Sequence, residues 1–265
     1  MERNKTLGFA VATMEAGLLT NETFVRQLRG LGEPVVIVNQ CREKDIDPAA
    51  FGDHVQVLNV QSRGLSLSRN LAMKALEGMG ADHVMLCDDD IELIPEGLET
   101  LRTFLQGEGG DAAMVFTQLR KSTGEPWRAH YEETSFSLTG LGFEAKRRVQ
   151  TINSMEQVYN LGFLRSHGLQ FDLDFGAGSG RYQMGEETLM SWSILAAGGT
   201  LIYMPVACRS HPPLCSGSTY SGALMRAIFA VHRRMFGALS PVTFAVFFAK
   251  SVVREFRRKI SGRTA

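Results

Sequence analysis

The sequence predicts an α/β protein built on one open, mostly parallel sheet with helices on both faces. Over the first 120 residues, short apolar runs alternate with segments of helical periodicity, and this alternation is typical of a parallel sheet. The apolar run 82–87 ends abruptly in the carboxylates of Asp88, Asp89 and Asp90. Because open α/β sheets bind ligands at the carboxyl ends of their strands, these acids indicate the edge where a ligand binds.

The composition fits one large or two small domains with a buried core, since the 265 residues are 44% hydrophobic and 21% charged. Basic and acidic residues balance at 28 each, so net charge gives no support for general nucleic-acid binding. The four cysteines are scattered without a CxxC pair, which favours a reducing compartment. Residues 1–17 lack the long apolar stretch of a signal peptide, and we therefore expect a cytoplasmic protein.

The elements of the first half follow from local patterns. We predict strands at residues 7–13, 34–40, 54–60, 82–87 and 111–119, and helices at 21–32, at 65–80 and after Pro95. Asn21 is a suitable N-cap before a segment with one apolar face. Pro95 suits the first turn of a helix, where its missing N–H costs nothing.

The second half is less regular. Beyond about residue 125 the sequence is rich in glycine and aromatic residues without a clear period. A glycine-rich loop, 171–185, leads into a predicted helix that begins with Glu186 and Glu187. A strand is expected from residue 200, followed by Ser210, His211 and Pro212 outside it.

Four segments, in this order, resemble the family 2 glycosyltransferases, which have the Rossmann-like GT-A fold. They are VVIVNQ (35–40), SRGLSLSRNLAMKAL (62–76), VMLCDDDIEL (84–93), and GEETLMSWSILAAGGTLIYMP (185–205) with the later SHP (210–212). The resemblance covers residues 7 to about 213. It implies a GT-A domain over 1–222, with a nucleotide-sugar half at about 1–120 and an acceptor half at about 121–222.

The resemblance also implies an activity. The protein would move a sugar from a nucleotide-diphosphate donor, in the first place a UDP-sugar, to a hydroxyl of a saccharide or lipid-linked acceptor, as in polysaccharide assembly. A single in-line displacement would invert the anomeric carbon. Glu186 and Glu187 correspond to the family's acidic pair, and Glu187 is our first choice as general base, because a neighbouring carboxylate raises its pKa. On local grounds alone, the pair would simply favour the first turn of a helix.

A divalent cation, Mg²⁺ or Mn²⁺, follows from the resemblance as well. Asp88 and Asp90 match the family's D-x-D acids, with Asp88 near the donor ribose and Asp90 on the metal, and His211 matches a late histidine that contacts metal or phosphate. Carboxylate oxygens suit such ions. A hydrated acidic turn and a structural histidine stay open as alternatives. A zinc site of Cys208, His211 and Cys215 is a weaker one, since only three ligands are visible.

Three further residues are expected to bind the donor. Arg69 is predicted in the first turn of its helix, where a cation opposes the dipole, and this indicates an anionic partner such as a donor phosphate or a D-x-D acid. An exposed surface arginine is the alternative. Asn39 stands where relatives carry an aspartate, and its amide oxygen can accept a hydrogen bond from the nucleotide base. Thr13 ends the first strand and would line the base pocket.

The segment 223–265 is apolar with basic flanks. Its uncharged part, 235–249, contains Pro241 and falls short of the ~20 residues that span a bilayer. We expect an amphipathic helical tail that lies on the cytoplasmic face of an anionic membrane. A tail packed on the domain or on a partner protein is the alternative.

Two other functions are compatible with part of the pattern. A metal-dependent nucleotidyltransferase also combines an α/β sheet with carboxylates, but it needs a glycine-rich basic loop after the first strand. Residues 13–22 offer one glycine and no lysine or arginine there. A non-catalytic nucleotide-sugar-binding module would not need both the D-x-D acids and the glutamate pair.

Overall fold

The computed structural model of the chain describes residues 4–213 and 221–249. Within them, the strands are β1 (Leu7–Met14), β2 (Val35–Gln40), β3 (Val55–Val60), β4 (His83–Asp88), β5 (Glu92–Leu93), β6 (Met114–Lys121), β7 (Phe136–Leu138), β8 (Gln157–Asn160) and β9 (Leu201–His211). The helices are α1 (Glu22–Gly30), α2 (Leu65–Gly78), α3 (Pro95–Gln106), α4 (Phe143–Val149), α5 (Leu161–Ser166), α6 (Glu186–Ala196) and α7 (Gly222–Phe236). Residues 240–249 are also helical.

The first half of the sheet is parallel, as predicted, in the order β3-β2-β1-β4. Strand β2 is buried along its whole length, which explains its unbroken apolar run, because both of its faces are covered. The register pairs Thr13 with Asn39 and Ala12 with Asp88. The carboxyl ends of the three central strands therefore lie side by side at one edge.

The second half corrects the expectation of a mostly parallel sheet. Strand β8 runs antiparallel between β4 and β6, and β9 pairs parallel with β6 but antiparallel with β5 and β7. The sheet is therefore mixed. Four residues are too few to establish an alternating pattern, and in β8 the apolar Val158 stands between Gln157 and Tyr159, so the sequence did not indicate this strand.

The predicted helix starts are confirmed. Asn21 accepts a hydrogen bond from the Phe24 backbone N–H at 3.1 Å, and Pro95 stands at the start of α3. Arg69 is the fifth residue of α2, so the expectation that it lies in the first turn was wrong. The helix dipole therefore has little effect on the charge of Arg69, and tertiary contacts determine its partners.

Strand β9 is longer than predicted, because it includes Ser210 and His211. Two neighbours hold this end in the sheet: Glu92 of β5 pairs with Ser210, and Lys121 of β6 pairs with His211. Since β5 follows directly after the three aspartates, the same pairing brings His211 next to them.

The described part of the predicted tail is a helical hairpin of α7 and residues 240–249, confirming its helical character. It is not free of the domain, because Val231 and Met235 join the common hydrophobic core. His232, expected on a basic flank, is buried and lies 3.0 Å from the Thr243 hydroxyl, and burial lowers its pKa. The predicted basic cluster beyond residue 250 lies outside the described residues. Among those that are described, no helix has the length and hydropathy needed to cross a membrane.

We predict that Gly97→Ala destabilises the protein by about 1–3 kcal/mol. A Cβ at Gly97 would collide with the backbone carbonyl of Ala207, because α3 packs directly on β9. Gly78→Ala is the matched control: nothing lies within 4 Å of its Cβ position, and alanine favours the helix by up to about 1 kcal/mol. Urea unfolding measures both. Equal stability of the two variants would contradict this packing.

Candidate active site

A buried ion cluster joins three elements at the carboxyl edge of the sheet. Arg69 of α2 is only 2% exposed; its Nη1 lies 2.9 Å from Glu186 Oε1 on α6, and its Nη2 lies 3.6 Å from Asp88 Oδ1 on β4. Burial opposes the charge, but Glu186 and then Asp88 raise the pKa of Arg69 above its ordinary value. The cation is therefore stabilised by two site carboxylates.

Arg69 thus has an acid of the D-x-D cluster as a partner, which was one of its two expected partners, and it is not an exposed arginine. Its buried guanidinium organises carboxylates inside the protein. A contact with the donor phosphates stays a prediction.

The glutamate pair opens α6 as predicted, but its two members differ. Glu186 is buried and bound by Arg69, whereas Glu187 keeps partial exposure and forms no ion pair with any residue that the structure describes. Removal of its carboxyl group from water, and then the charge and hydrogen bonding of Glu186, raise the pKa of Glu187 to about 8. Glu187 therefore binds a proton more readily than an ordinary carboxylate, and the geometry favours it over Glu186 as the base.

Asp90 lies in a second cluster. Its Oδ1 is 3.3 Å from His211 Nε2, and the ring of Trp127 meets the His211 ring edge-on, with centroids 5.2 Å apart. Burial, followed by the charge of Asp88, raises the pKa of Asp90 against the lowering effect of His211. The backbone register thus places His211 beside Asp90, and a contact of His211 with a metal or a phosphate stays a prediction.

The fit of a divalent cation to these residues follows from their number and chemistry. In the described ranges, no three His, Cys, Asp or Glu side chains converge into a ready metal site. Asp88, Asp90 and His211 offer carboxylate oxygens and one imidazole, which are donor types that suit Mg²⁺ or Mn²⁺, and a cation held by them stays a prediction. The zinc alternative fails at Cys208, which is fully buried, has a thiol that donates to the Gly97 carbonyl at 3.3 Å and has its pKa raised to about 11 by burial. Cys215 lies outside the described residues.

The loop after β1 is held in a strained shape. Glu15 and Ala16 have left-handed backbones, with φ of 48° and 58°, and such residues cost on the order of 1–3 kcal/mol each. Asn39 offsets part of this cost, because its amide oxygen accepts the Ala16 N–H at 3.0 Å. Its amide nitrogen donates to the Lys44 carbonyl and to Asn59 Oδ1, both at 2.8 Å. Asn39 is fully buried, and these three hydrogen bonds tie its side chain to the loop after β1 and to its neighbours.

Thr13 is also turned inward. Its hydroxyl donates to Asp89 Oδ2 at 2.5 Å and accepts the Leu18 N–H at 2.9 Å. Thr13 and Asn39 thus hold the backbone of the loop after β1. This loop lies at the edge of the sheet that carries the three aspartates. A direct contact of Thr13 or Asn39 with a donor stays a prediction.

Three residues of this region were assigned no role from the sequence. Asp89 fixes Thr13, and Trp127 packs on His211 from a segment without any period. Arg209 is fully buried beneath Asp88, where its Nη1 donates to the Leu86 carbonyl at 2.6 Å and burial lowers its pKa. A charged residue inside the largely apolar strand Leu201–His211 was the available signal for Arg209, whereas Trp127 had none.

No family model and no curated protein matches this sequence. Among solved structures, it resembles residues 1–349 of Staphylococcus aureus TarS in complex with UDP, at 15% identity over 86% of this chain and 65% of that one, with a TM-score of 0.61. For the complex with UDP-GlcNAc the identity is 16%, over 87% and 65%, with a TM-score of 0.62. The chain thus spans slightly less than two thirds of these structures. The similarity confirms the GT-A-like fold but does not identify a family within that fold.

We predict that the free energy of unfolding falls as the pH rises from about 5 to about 8, and that Glu187→Gln removes part of this fall. A carboxyl whose pKa is raised in the folded state binds its proton more tightly there than in the unfolded chain. Its contribution is therefore complete at low pH and lost as the pH rises through the folded-state pKa. Urea unfolding at several pH values measures the effect. Parallel pH profiles for the variant and the native protein would show that the pKa of Glu187 is not raised.

Proposed function

We propose that this protein is an inverting, family 2-like glycosyltransferase that transfers a sugar from a nucleotide-diphosphate donor, a UDP-sugar in the first place, to an acceptor hydroxyl. One observation carries the proposal: the buried Arg69 holds the D-x-D acid Asp88 and the start of the glutamate pair at the same edge of the sheet. The fold shared with TarS, which was crystallised with UDP and with UDP-GlcNAc, supports a nucleotide sugar as donor.

Glu187 is the proposed general base. It takes the proton of the acceptor hydroxyl while that oxygen attacks the anomeric carbon, and the nucleotide diphosphate leaves from the opposite face. A single displacement of this kind inverts the anomeric configuration. Glu186 acts through position: its ion pair with Arg69 holds the first turn of α6, and its charge keeps the pKa of Glu187 high enough for a base.

Asp88 and Asp90, with His211 beside Asp90, are the residues that would hold the proposed Mg²⁺ or Mn²⁺. Bound there, the cation supplies positive charge to the leaving diphosphate. The protein's own part is to aim the carboxylates: Arg69 positions Asp88, and His211 positions Asp90.

The alternatives gain less support. A nucleotidyltransferase needs basic groups in the loop after β1, and Glu15 instead places a carboxylate there, bound to the backbone N–H groups of Arg42, Glu43 and Lys44. A binding module without catalysis has no use for a carboxyl with the raised pKa of Glu187. The helical hairpin 222–249 carries our remaining proposal: a peripheral position on the cytoplasmic face of a membrane, with a saccharide or lipid-linked acceptor.

We predict that Asp90→Asn weakens UDP binding in the presence of Mn²⁺ by at least about 10-fold and abolishes transfer, because the cation loses a charged ligand. Calorimetric titration measures the affinity. Glu92→Gln is the control, since it removes an equal charge from an exposed position two residues away. UDP affinity in Mn²⁺ that is the same for Asp90→Asn and Glu92→Gln would remove Asp90 from the metal site.

We predict that Glu187→Gln lowers kcat for transfer by about 10²–10⁴-fold while the donor KM changes little, because a general base acts in the chemical step. Glu96→Gln is the matched control, since Glu96 is also an acid in the first turn of a helix but lies on the exposed start of α3. If both variants retain full transfer, the pair serves only the helix dipole and the proposed mechanism is wrong.

A further inference from the structure

A cavity of about 840 Å³ lies between the loop that precedes α6 and the hairpin 222–249. Its walls combine aromatic rings with the four arginines Arg181, Arg226, Arg233 and Arg234. None of these arginines belongs to the candidate active site. Guanidinium groups beside aromatic surface form a site for an anionic group attached to an apolar body.

Two of the four arginines pair with aspartates, and the other two have no acidic partner among the described residues. Arg181 pairs with Asp174, and Arg234 pairs with Asp172 at 3.0 Å. The side chains of Arg226 and Arg233 make no ion pair or hydrogen bond with any residue in 4–213 or 221–249. They stand two helical turns apart on one face of α7, so both guanidinium groups reach the same cavity. Their planar forks suit phosphate oxygens.

An apolar surface continues from the arginines. A second cavity of about 510 Å³ shares Phe229 and Arg233 with the first and extends to Pro241 at the turn of the hairpin. Residues 240–249 carry no charged side chain, and Val242 and Val246 are 64% and 50% exposed. An exposed apolar helix face on the same hairpin as these two arginines is the combination that suits the surface of an anionic bilayer.

The cavity adjoins the catalytic acids. Its wall residue Phe175 accepts a hydrogen bond from the Ser66 hydroxyl at 2.6 Å through its carbonyl, and the next residue, Gly176, lies so close to Glu186 that an added Cβ would be 3.4 Å from its Oε2. On the other side, Val231 of α7 packs on Gly185, which directly precedes Glu186. A molecule held by the hairpin therefore sits beside the start of α6.

We propose that this cavity binds the phosphate headgroup of an anionic membrane lipid, with Arg226 and Arg233 on the phosphate oxygens and the lipid chains along residues 239–248. This site rests on the membrane association proposed above and specifies how the protein holds the membrane. It does not depend on the transfer reaction. It places the bilayer surface next to the catalytic acids.

The test is flotation of the full chain with vesicles of phosphatidylcholine, with and without phosphatidic acid. Arg226→Gln/Arg233→Gln should weaken binding to the phosphatidic acid vesicles by at least about 10-fold. The control Arg26→Gln/Lys74→Gln removes two exposed charges from α1 and α2 and should weaken it by less than about 3-fold. Equal losses in the two double variants would show unspecific charge attraction and overturn the site.

Four further readouts separate the possible failures. Equal binding of the native protein to both kinds of vesicle would leave the apolar face as the sole anchor and overturn the phosphate site alone, whereas absence of binding to either would also overturn the membrane association. Val242→Asn/Val246→Asn should release the protein from phosphatidic acid vesicles if the chains lie on this face, and retained binding would contradict their placement. Inorganic phosphate should displace no more protein than chloride at equal ionic strength; selective displacement would indicate a site for free phosphate instead. UDP binding by each variant reports on the donor site separately.

Discussion

The burial of one cation, Arg69, is the constraint on which the candidate site depends. A guanidinium that is 2% exposed needs counter-charges, and it finds them on Glu186 of α6 and Asp88 of β4. These contacts connect residues separated by 117 and 19 positions in the chain. Since the partners are the acids to which we assign the chemistry, the interaction that stabilises this edge of the sheet also sets the spacing of the catalytic groups.

A second constraint acts on the other side of the same edge. The loop after β1 keeps two left-handed residues, Glu15 and Ala16, and the buried amide of Asn39 holds Ala16 in that shape. This loop and the aspartates are linked through the hydrogen bond from Thr13 to Asp89. Strain that is held by several buried hydrogen bonds is common at sites that are rigid before the ligand arrives. This side of the candidate site is thus organised by the protein itself.

The sequence was sufficient for the parallel half of the sheet and for the position of its acids. Strands buried on both faces read as unbroken apolar runs, and parallel geometry then aligns their carboxyl ends. It was insufficient where tertiary contacts decide: β8 is only four residues long, Arg69 was placed one turn too early, and the burial of Asn39 against the loop after β1 was not predicted. His232 was counted among exposed basic residues, although the hairpin buries it. For each of these side chains the residue type was known from the sequence, but its surroundings were not predicted, because burial is a property of the assembled fold.

We propose that Asp88 and Asp90 bind a nucleotide diphosphate through a divalent cation. The decisive experiment is calorimetric titration of UDP and of GDP into the native protein, first with Mn²⁺ and then with EDTA. We expect that UDP binds in Mn²⁺, that EDTA weakens the binding strongly, and that GDP binds less tightly under both conditions. Failure of both nucleotides to bind folded protein in Mn²⁺, or UDP affinity that EDTA leaves unchanged, would contradict the assignment of Asp88 and Asp90.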